Sequence, residues 1–172
     1  MPASRPLASR RKTRSVSEWQ PCRGNRTALA AFWQELAAHG APLIETANDD
    51  NQQVLVTFLW RANEPLQKVI LQASALGIMP QSLQPDPARN QLQRLADTAL
   101  WYKTYRLPKN LRTVYRFAIY PASAGGAVSQ QADPLNPKTF VFPKDPDVPA
   151  SKDVVRSLLE MPAAAPQLWI YK

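Results

Sequence analysis

Between Trp101 and Arg116, five cations stand among four aromatic rings: Lys103, Arg106, Lys109, Arg112 and Arg116 surround Trp101, Tyr102, Tyr105 and Tyr115. Cations beside ring faces suit a flat, anionic, aromatic ligand through charge pairing, stacking and cation–π contact. The same alternation also describes a half-buried strand, with basic side chains on a solvated face and rings on a core face. Register decides between the two, because a slip of one residue exchanges the faces.

Other chemistries find no support. A serine hydrolase needs a nucleophile on a strained elbow, typically Gly-x-Ser-x-Gly, and a histidine to take its proton. No such motif occurs, and Gly125-Gly126 is followed by Ala-Val-Ser without the strand–turn–helix setting. One histidine and one cysteine, far from any acidic cluster, do not make a metal site. A glycine-rich phosphate loop is absent, and the carboxylates are scattered rather than paired for acid–base work. The sequence therefore assigns no catalytic residue, no metal ligand and no cofactor. It predicts a recognition module.

Charge location matters more than the total. The net charge is +8 over 172 residues. Residues 1–26 hold Arg5, Arg10, Arg11, Lys12, Arg14, Arg23 and Arg26 against Glu18 alone, and the remainder is nearly balanced. A basic tail binds polyanions weakly without making the chain a nucleic-acid reader. Cys22 stands alone in that tail, so no intrachain disulfide points to an oxidising compartment. No run approaches the ~20 apolar residues of a membrane helix. Ser9-Arg10-Arg11-Lys12 has the look of a twin-arginine signal but lacks an apolar region after it. The expected location is cytoplasmic.

The elements that must position the basic and aromatic residues follow from periodicity. Residues 1–25 lack it and read as a disordered tail. A helix follows, with Thr27 as N-cap, Gly40 as the C′ residue, and Leu29, Phe32, Trp33 and Leu36 as one apolar stripe. His39 lies in its last turn, where the helix dipole favours a cation, a structural role. Pro42–Glu45 is a short extended piece, and Asn48–Asn51 a turn. Val54–Arg61 is a central strand, apolar on both faces. Gln67–Ala73 is the next strand, expected to pair with it as a hairpin. Residues 77–90 form a loop.

The Asn90–Pro121 stretch reads as a hairpin of two strands around a Pro108-Lys109-Asn110 turn. On the second strand Thr113, Tyr115, Phe117 and Ile119 form the buried face. Residues 122–132 read as a flexible loop. Asp133-Pro134-Leu135-Asn136-Pro137 is a rigid turn, whose two prolines fix φ while Asp133 and Asn136 bond nearby backbone. Thr139–Phe142 is a short strand. Residues 151–161 fit either a capped helical turn or a closing strand. The Pro-rich end is a linker or an anchoring arm. These elements imply an all-β sandwich of immunoglobulin-like (E-set) type with one N-terminal helix.

Their order also resembles a known family. Phe32-Trp33-Gln34-Glu35-Leu36 with Gly40–Glu45, Val56–Arg61, Gln93-Arg94-Leu95, Thr98, Trp101-Tyr102, Tyr105–Pro108, Arg112, Tyr115-Arg116-Phe117, Asp133–Pro137 and the final Leu-Glu-x-Pro-x-Ala-x-Pro-Gln-x-Trp follow the N-terminal domain of enterochelin (enterobactin) esterases. Together they span about residues 28–169. Ala99 stands where the family usually has an acidic residue, and Ala41 where it has threonine. The family's catalytic part, an α/β-hydrolase with Ser-His-Asp/Glu machinery, has no counterpart here, so no catalytic residue carries over.

The resemblance implies a tail at 1–25, an esterase N-terminal-like domain at 26–169 and an exit at 170–172. It implies a cytoplasmic role in iron acquisition, with an α/β-hydrolase domain as partner in cis or in trans and a ferric catecholate siderophore as ligand. Such a ligand is anionic and aromatic, which suits Arg61, Trp101, Lys103, Tyr105 and Arg116 as substrate-binding residues. That choice rests on side-chain chemistry, since the family motif does not fix it. Two other readings remain at this point. One is a glycan-binding module stacking sugar on exposed Trp60 or Trp101. The other is a purely structural partner domain, which predicts an exposed apolar patch.

Overall fold

The computed structural model describes residues 26–47, 52–73, 87–95 and 98–166. The basic tail, the Asn48–Asn51 turn, residues 77–86 of the expected loop and the chain end from 167 lie outside these.

The chain opens with α1 (Arg26–His39) and continues as β1 (Leu43–Thr46), β2 (Gln53–Arg61) and β3 (Leu66–Gln72). A 3₁₀ turn at Pro87–Asn90 precedes β4 (Gln93–Arg94), β5 (Leu100–Pro108) and β6 (Arg112–Pro121). β7 (Ser129–Gln131), β8 (Thr139–Phe142) and β9 (Val154–Glu160) complete the described part. Two antiparallel sheets result. Sheet A has the order β1-β2-β5-β4, and sheet B the order β3-β6-β9-β8, with β7 also paired to β6. The architecture is an all-β sandwich with a helix on one side.

β2 lies inside sheet A and is buried on both faces, as its continuous apolar run requires. Val54, Val56, Phe58 and Trp60 point into the space between the sheets, where they meet Val69 and Leu71 of β3 and Tyr115, Phe117 and Ile119 of β6. Phe58 packs edge-on against Tyr115 with centroids 4.9 Å apart, and Trp60 packs on Phe117 at 5.4 Å. The opposite face of sheet A presents Leu59 and Leu100 to Phe32, Trp33 and Leu36 of α1. The helix therefore closes a second, smaller core. Its apolar stripe is the one the sequence predicts, with Leu29 half-buried at its margin. Gly40 ends it at φ +79°, and its N–H donates to Leu36 O. Thr27 falls inside the first turn rather than at the cap, a two-residue difference of the kind frayed helix ends show.

Three expectations about pairing are corrected. β2 and β3 do not form a hairpin: β3 pairs with β6 in the other sheet. β5 and β6 do not pair either. The Pro108-Lys109-Asn110 turn is real, closed by Leu111 N–H to Pro108 O, but it carries the chain from sheet A to sheet B. Both edges of β5 are used by β2 and β4, while β6 is flanked by β3 and by β9 and β7. Alternation reveals which face of a strand is apolar, but apolar faces that meet across a sandwich look like those lying side by side in a hairpin. The third correction concerns 122–132, where Ser129–Gln131 forms a short strand along β6. The open choice at 151–161 resolves as the strand β9.

Candidate functional site

The β2–β5 ladder places Trp60 opposite Trp101, Phe58 opposite Lys103 and Val56 opposite Tyr105. Trp101, Lys103 and Tyr105 thus share the inner face of sheet A. Trp101 is 6% exposed and belongs to the central core. Tyr105 packs against Phe58 at 5.9 Å, its hydroxyl donates to Asn90 Oδ1 at 3.3 Å, and burial pushes its phenol up to about 12. Lys103 is half-buried between them. Arg61 lies on the other face of sheet A, exposed, its guanidinium 5.1 Å from the centroid of Trp33. Arg116 lies on the outer face of sheet B, where its Nε donates to Gln72 Oε1 at 2.9 Å. The structure therefore brings together three of the five residues and sets Arg61 and Arg116 on opposite outer faces. Tyr115, fully buried, offers no ring to solvent. Trp60 and Trp101 are both buried, so neither is the sugar-stacking platform that a glycan reading expects.

A polar centre built on the 133–137 turn lies against β6 and β9. Asp133 Oδ1 accepts from Leu135 N–H at 2.9 Å and Asn136 Oδ1 from Lys138 N–H at 2.9 Å, the local bonds expected of the pentapeptide. The segment is also fixed to the core. Tyr115 Oη donates to Asp133 Oδ2 at 2.7 Å and accepts from Asn136 Nδ2 at 3.1 Å. Ser157 Oγ accepts from Asp133 N–H at 2.6 Å, and Leu158 O from Asn136 Nδ2 at 3.0 Å. Ala41 N–H donates to Leu135 O at 2.9 Å, tying in the end of the helix. Desolvation pushes the Asp133 carboxyl up to about 6, against the bonds from Tyr115 and Leu135. The Tyr115 phenol is raised well above its ordinary value, first by burial and then by the charge of Asp133. Every member has a partner, so the network is a structural pin that joins β6, β9 and the 133–137 turn. The available signal was Tyr115 on the core face, which required a buried partner for its hydroxyl.

Beyond this pin the surface changes character. Glu160 accepts from Arg112 and, at 2.7 Å, from Lys138 Nζ. The Lys138 ammonium and the Arg112 guanidinium hold its carboxyl below the usual range. β8 and β9 then run out as an apolar ribbon. Phe140 is 40% exposed, Val141 48% and Val155 47%, with Phe142 and Val154 close behind. A cleft of ≈ 160 Å³ opens nearby beside Pro42, Asn136, Lys138 and Glu160. It is smaller than the roughly 300 Å³ at which pockets begin to enclose drug-sized ligands. Among the described residues no group of three or more His, Cys, Asp or Glu is placed to hold a metal, and no helix is long and apolar enough to cross a membrane.

Comparisons with known proteins agree with this architecture. The chain is 29% identical over 124 residues to the iron(III) salmochelin esterase of Escherichia coli O6:H1, covering 66% of this chain and 29% of that protein. It is 32% identical over 93 residues to the iron(III) enterobactin esterase of Yersinia enterocolitica, covering 51% and 24%. The chain thus spans less than a third of the length of these relatives. The Shigella flexneri enterobactin esterase crystallised with enterobactin shares the fold at a TM-score of 0.56 and 24% identity, over 80% of this chain and 36% of that one. The Salmonella typhimurium ferric enterobactin esterase does so at 0.55 and 24%, over 80% and 38%. The family model for the enterochelin esterase N-terminal domain matches residues 55–170, and the chain belongs to that family.

Proposed function

We propose that this domain is the non-catalytic N-terminal module of an enterochelin-esterase-like system for ferric siderophore hydrolysis and iron release. It packs on an α/β-hydrolase domain, in cis or in trans, and helps to shape the substrate side, with the cytoplasm as its working compartment. One observation carries the reading. Phe140, Val141, Phe142, Val154 and Val155 form a contiguous exposed apolar ribbon at the edge of sheet B. Such patches mark interaction sites. The relatives are named as esterases and extend well beyond the part this chain matches, which supports a catalytic domain as the partner.

The test mixes this chain with an enterochelin esterase that lacks its own N-terminal domain. The expected result is a complex by analytical ultracentrifugation and faster turnover of ferric enterobactin. Phe140→Ser with Val155→Ser abolishes both while the domain remains folded. If the wild-type chain neither associates nor changes turnover, the docking reading fails.

A further inference from the structure

The outer face of sheet B carries a row of side chains that neither the core nor the polar pin uses. Register places Gln72 of β3 opposite Arg116 of β6, and Phe140 of β8 opposite Arg156 of β9. The β6–β9 ladder runs from Arg112 opposite Glu160 to Tyr115 opposite Ser157. Its next step sets Arg116 beside Arg156, so the row reads Gln72, Arg116, Arg156, Phe140.

Two guanidiniums therefore stand side by side. Their charges are felt: Arg116 is lowered from its ordinary value by burial and then by the charge of Arg156. Among the described residues no carboxylate bridges them, and Glu160 on the same face is already engaged by Arg112 and Lys138. Gln72 occupies Nε of Arg116, which leaves the terminal nitrogens as the edge to present. Arg156 Nε is buried and has no hydrogen-bond partner. Buried polar groups are nearly always satisfied, so this orphan N–H leaves Arg156 under-satisfied beside a second cation. The Arg156 guanidinium is also stacked 5.0 Å from the centroid of Phe142, and Phe142 meets Phe140 edge-on at 4.9 Å. Stacking fixes the plane of the fork, and both rings stay partly open to solvent.

We propose that Arg116 and Arg156, with Phe140 and Phe142 as an aromatic wall, form a binding site for a planar aryl anion, a catecholate or a catechol carboxylate. The inference deepens the proposed function and rests on it for the identity of the ligand. The oxygens of the anion accept from the terminal nitrogens of the two guanidiniums and neutralise two adjacent like charges. The ring of the anion packs on the phenylalanine wall, which distinguishes it from a bare oxyanion such as phosphate. Only Arg116 of this constellation stood among the residues chosen from the sequence.

The test titrates the full chain with 2,3-dihydroxybenzoate, its ferric tris complex and inorganic phosphate, with binding read by calorimetry and amide chemical shifts. Saturable binding of the free acid, tighter than that of phosphate, is expected. Arg116→Gln and Arg156→Gln each weaken it by roughly tenfold or more, the loss of one charge-assisted contact. Phe142→Leu narrows the preference over phosphate, while Lys152→Gln on the exposed loop changes nothing. The ferric complex binds more tightly than the free acid if the siderophore is the natural ligand, and no more tightly if the released acid is. The proposal is overturned if the wild-type chain shows no saturable binding, or if Lys152→Gln weakens binding as much as Arg156→Gln. Amide spectra verify that each variant remains folded. Since no hydrolase is present, failure here leaves the docking reading standing, and failure of docking leaves this site standing.

Discussion

β2 and β8 are both strands of one sandwich, yet they have opposite surroundings. β2 is buried on both faces, by the inter-sheet core on one side and the α1 cluster on the other. β8 is exposed along its whole length, although Phe140, Val141 and Phe142 are as apolar as anything in β2. The difference is closure. Sheet A has a helix over its outer face, while Phe140, Val141 and Phe142 of sheet B belong to neither core cluster. An apolar strand at an uncovered sheet edge is a liability that folded proteins normally blunt with charge, proline or a covering element. Here the charge sits on the neighbouring strand, at Arg156, and the proline-rich 143–149 segment follows β8. The two regions thus differ in kind: one is buried core, the other an open apolar surface.

The sharpest way to break that comparison is to truncate a ring in each region. Phe58→Ala is expected to cost about 3–5 kcal/mol, as for a ring lost from a packed core. Phe140→Ala is expected to change stability by no more than about 0.5 kcal/mol. Chemical denaturation of both variants decides the matter. A large loss at Phe140 would show that β8 is already covered.

Tyr115→Phe keeps the ring and removes the hydroxyl. Asp133 then loses a donor and Asn136 an acceptor inside the fold, for an expected loss of about 1–3 kcal/mol. The β8–β9 amides are expected to lose hydrogen-exchange protection before those of β2, because the pin joins β6 to β9.

The pH dependence of stability divides along the same line. Asp133 has a folded pKa raised to about 6 from 3.8, so the folded state binds its proton more readily than the unfolded chain does. Its contribution is most favourable below about pH 4 and is lost as the pH rises through 6. The amplitude is on the order of 3 kcal/mol. Glu160 has the opposite sign: its lowered pKa gives stability that is present above the ordinary glutamate range and lost as the pH falls. Melting temperatures of wild type and Asp133→Asn across pH 4 to 7 separate the two, since the variant should lose the decline between about pH 4 and 6. The smallest effect is expected for Glu160→Gln at neutral pH, about 0.2–1 kcal/mol and reduced by salt, because the triad with Arg112 and Lys138 is at the surface.

Much of the scaffold was legible. The buried faces of β2 and β6, the helix stripe, Gly40 as its terminator and the turn at 133–137 all follow from periods of 2 and 3.6 and from residue-specific turn chemistry. Strand partners were not legible, because the pairings of β2 with β5 and β3 with β6 join residues far apart in the sequence, and alternation encodes only the face. The expected exposed apolar patch of a partner domain is present at β8–β9. The ligand-like cluster at 101–116 is divided for a related reason. Trp101, Lys103 and Tyr105 share the inner face of sheet A, Tyr115 lies in the core, and Arg116 is on the outer face of sheet B. Arg156 escaped notice because Val-Val-Arg-Ser-Leu shows no cluster of its own. Its meaning comes only from lying beside Arg116.

β6 has a property that becomes plain only when its neighbours are laid along it. Its first half registers β9, its second half registers β3 and β7, and its alternate residues are the floor of the core. It acts as a shared reading frame. A single residue inserted between Tyr115 and Phe117 would leave each half locally well formed but out of phase with the other. One set of rings would turn to solvent, or Asp133 would lose its phenol. This strand should therefore tolerate exchange of side chains on its outer face far better than any change in its length.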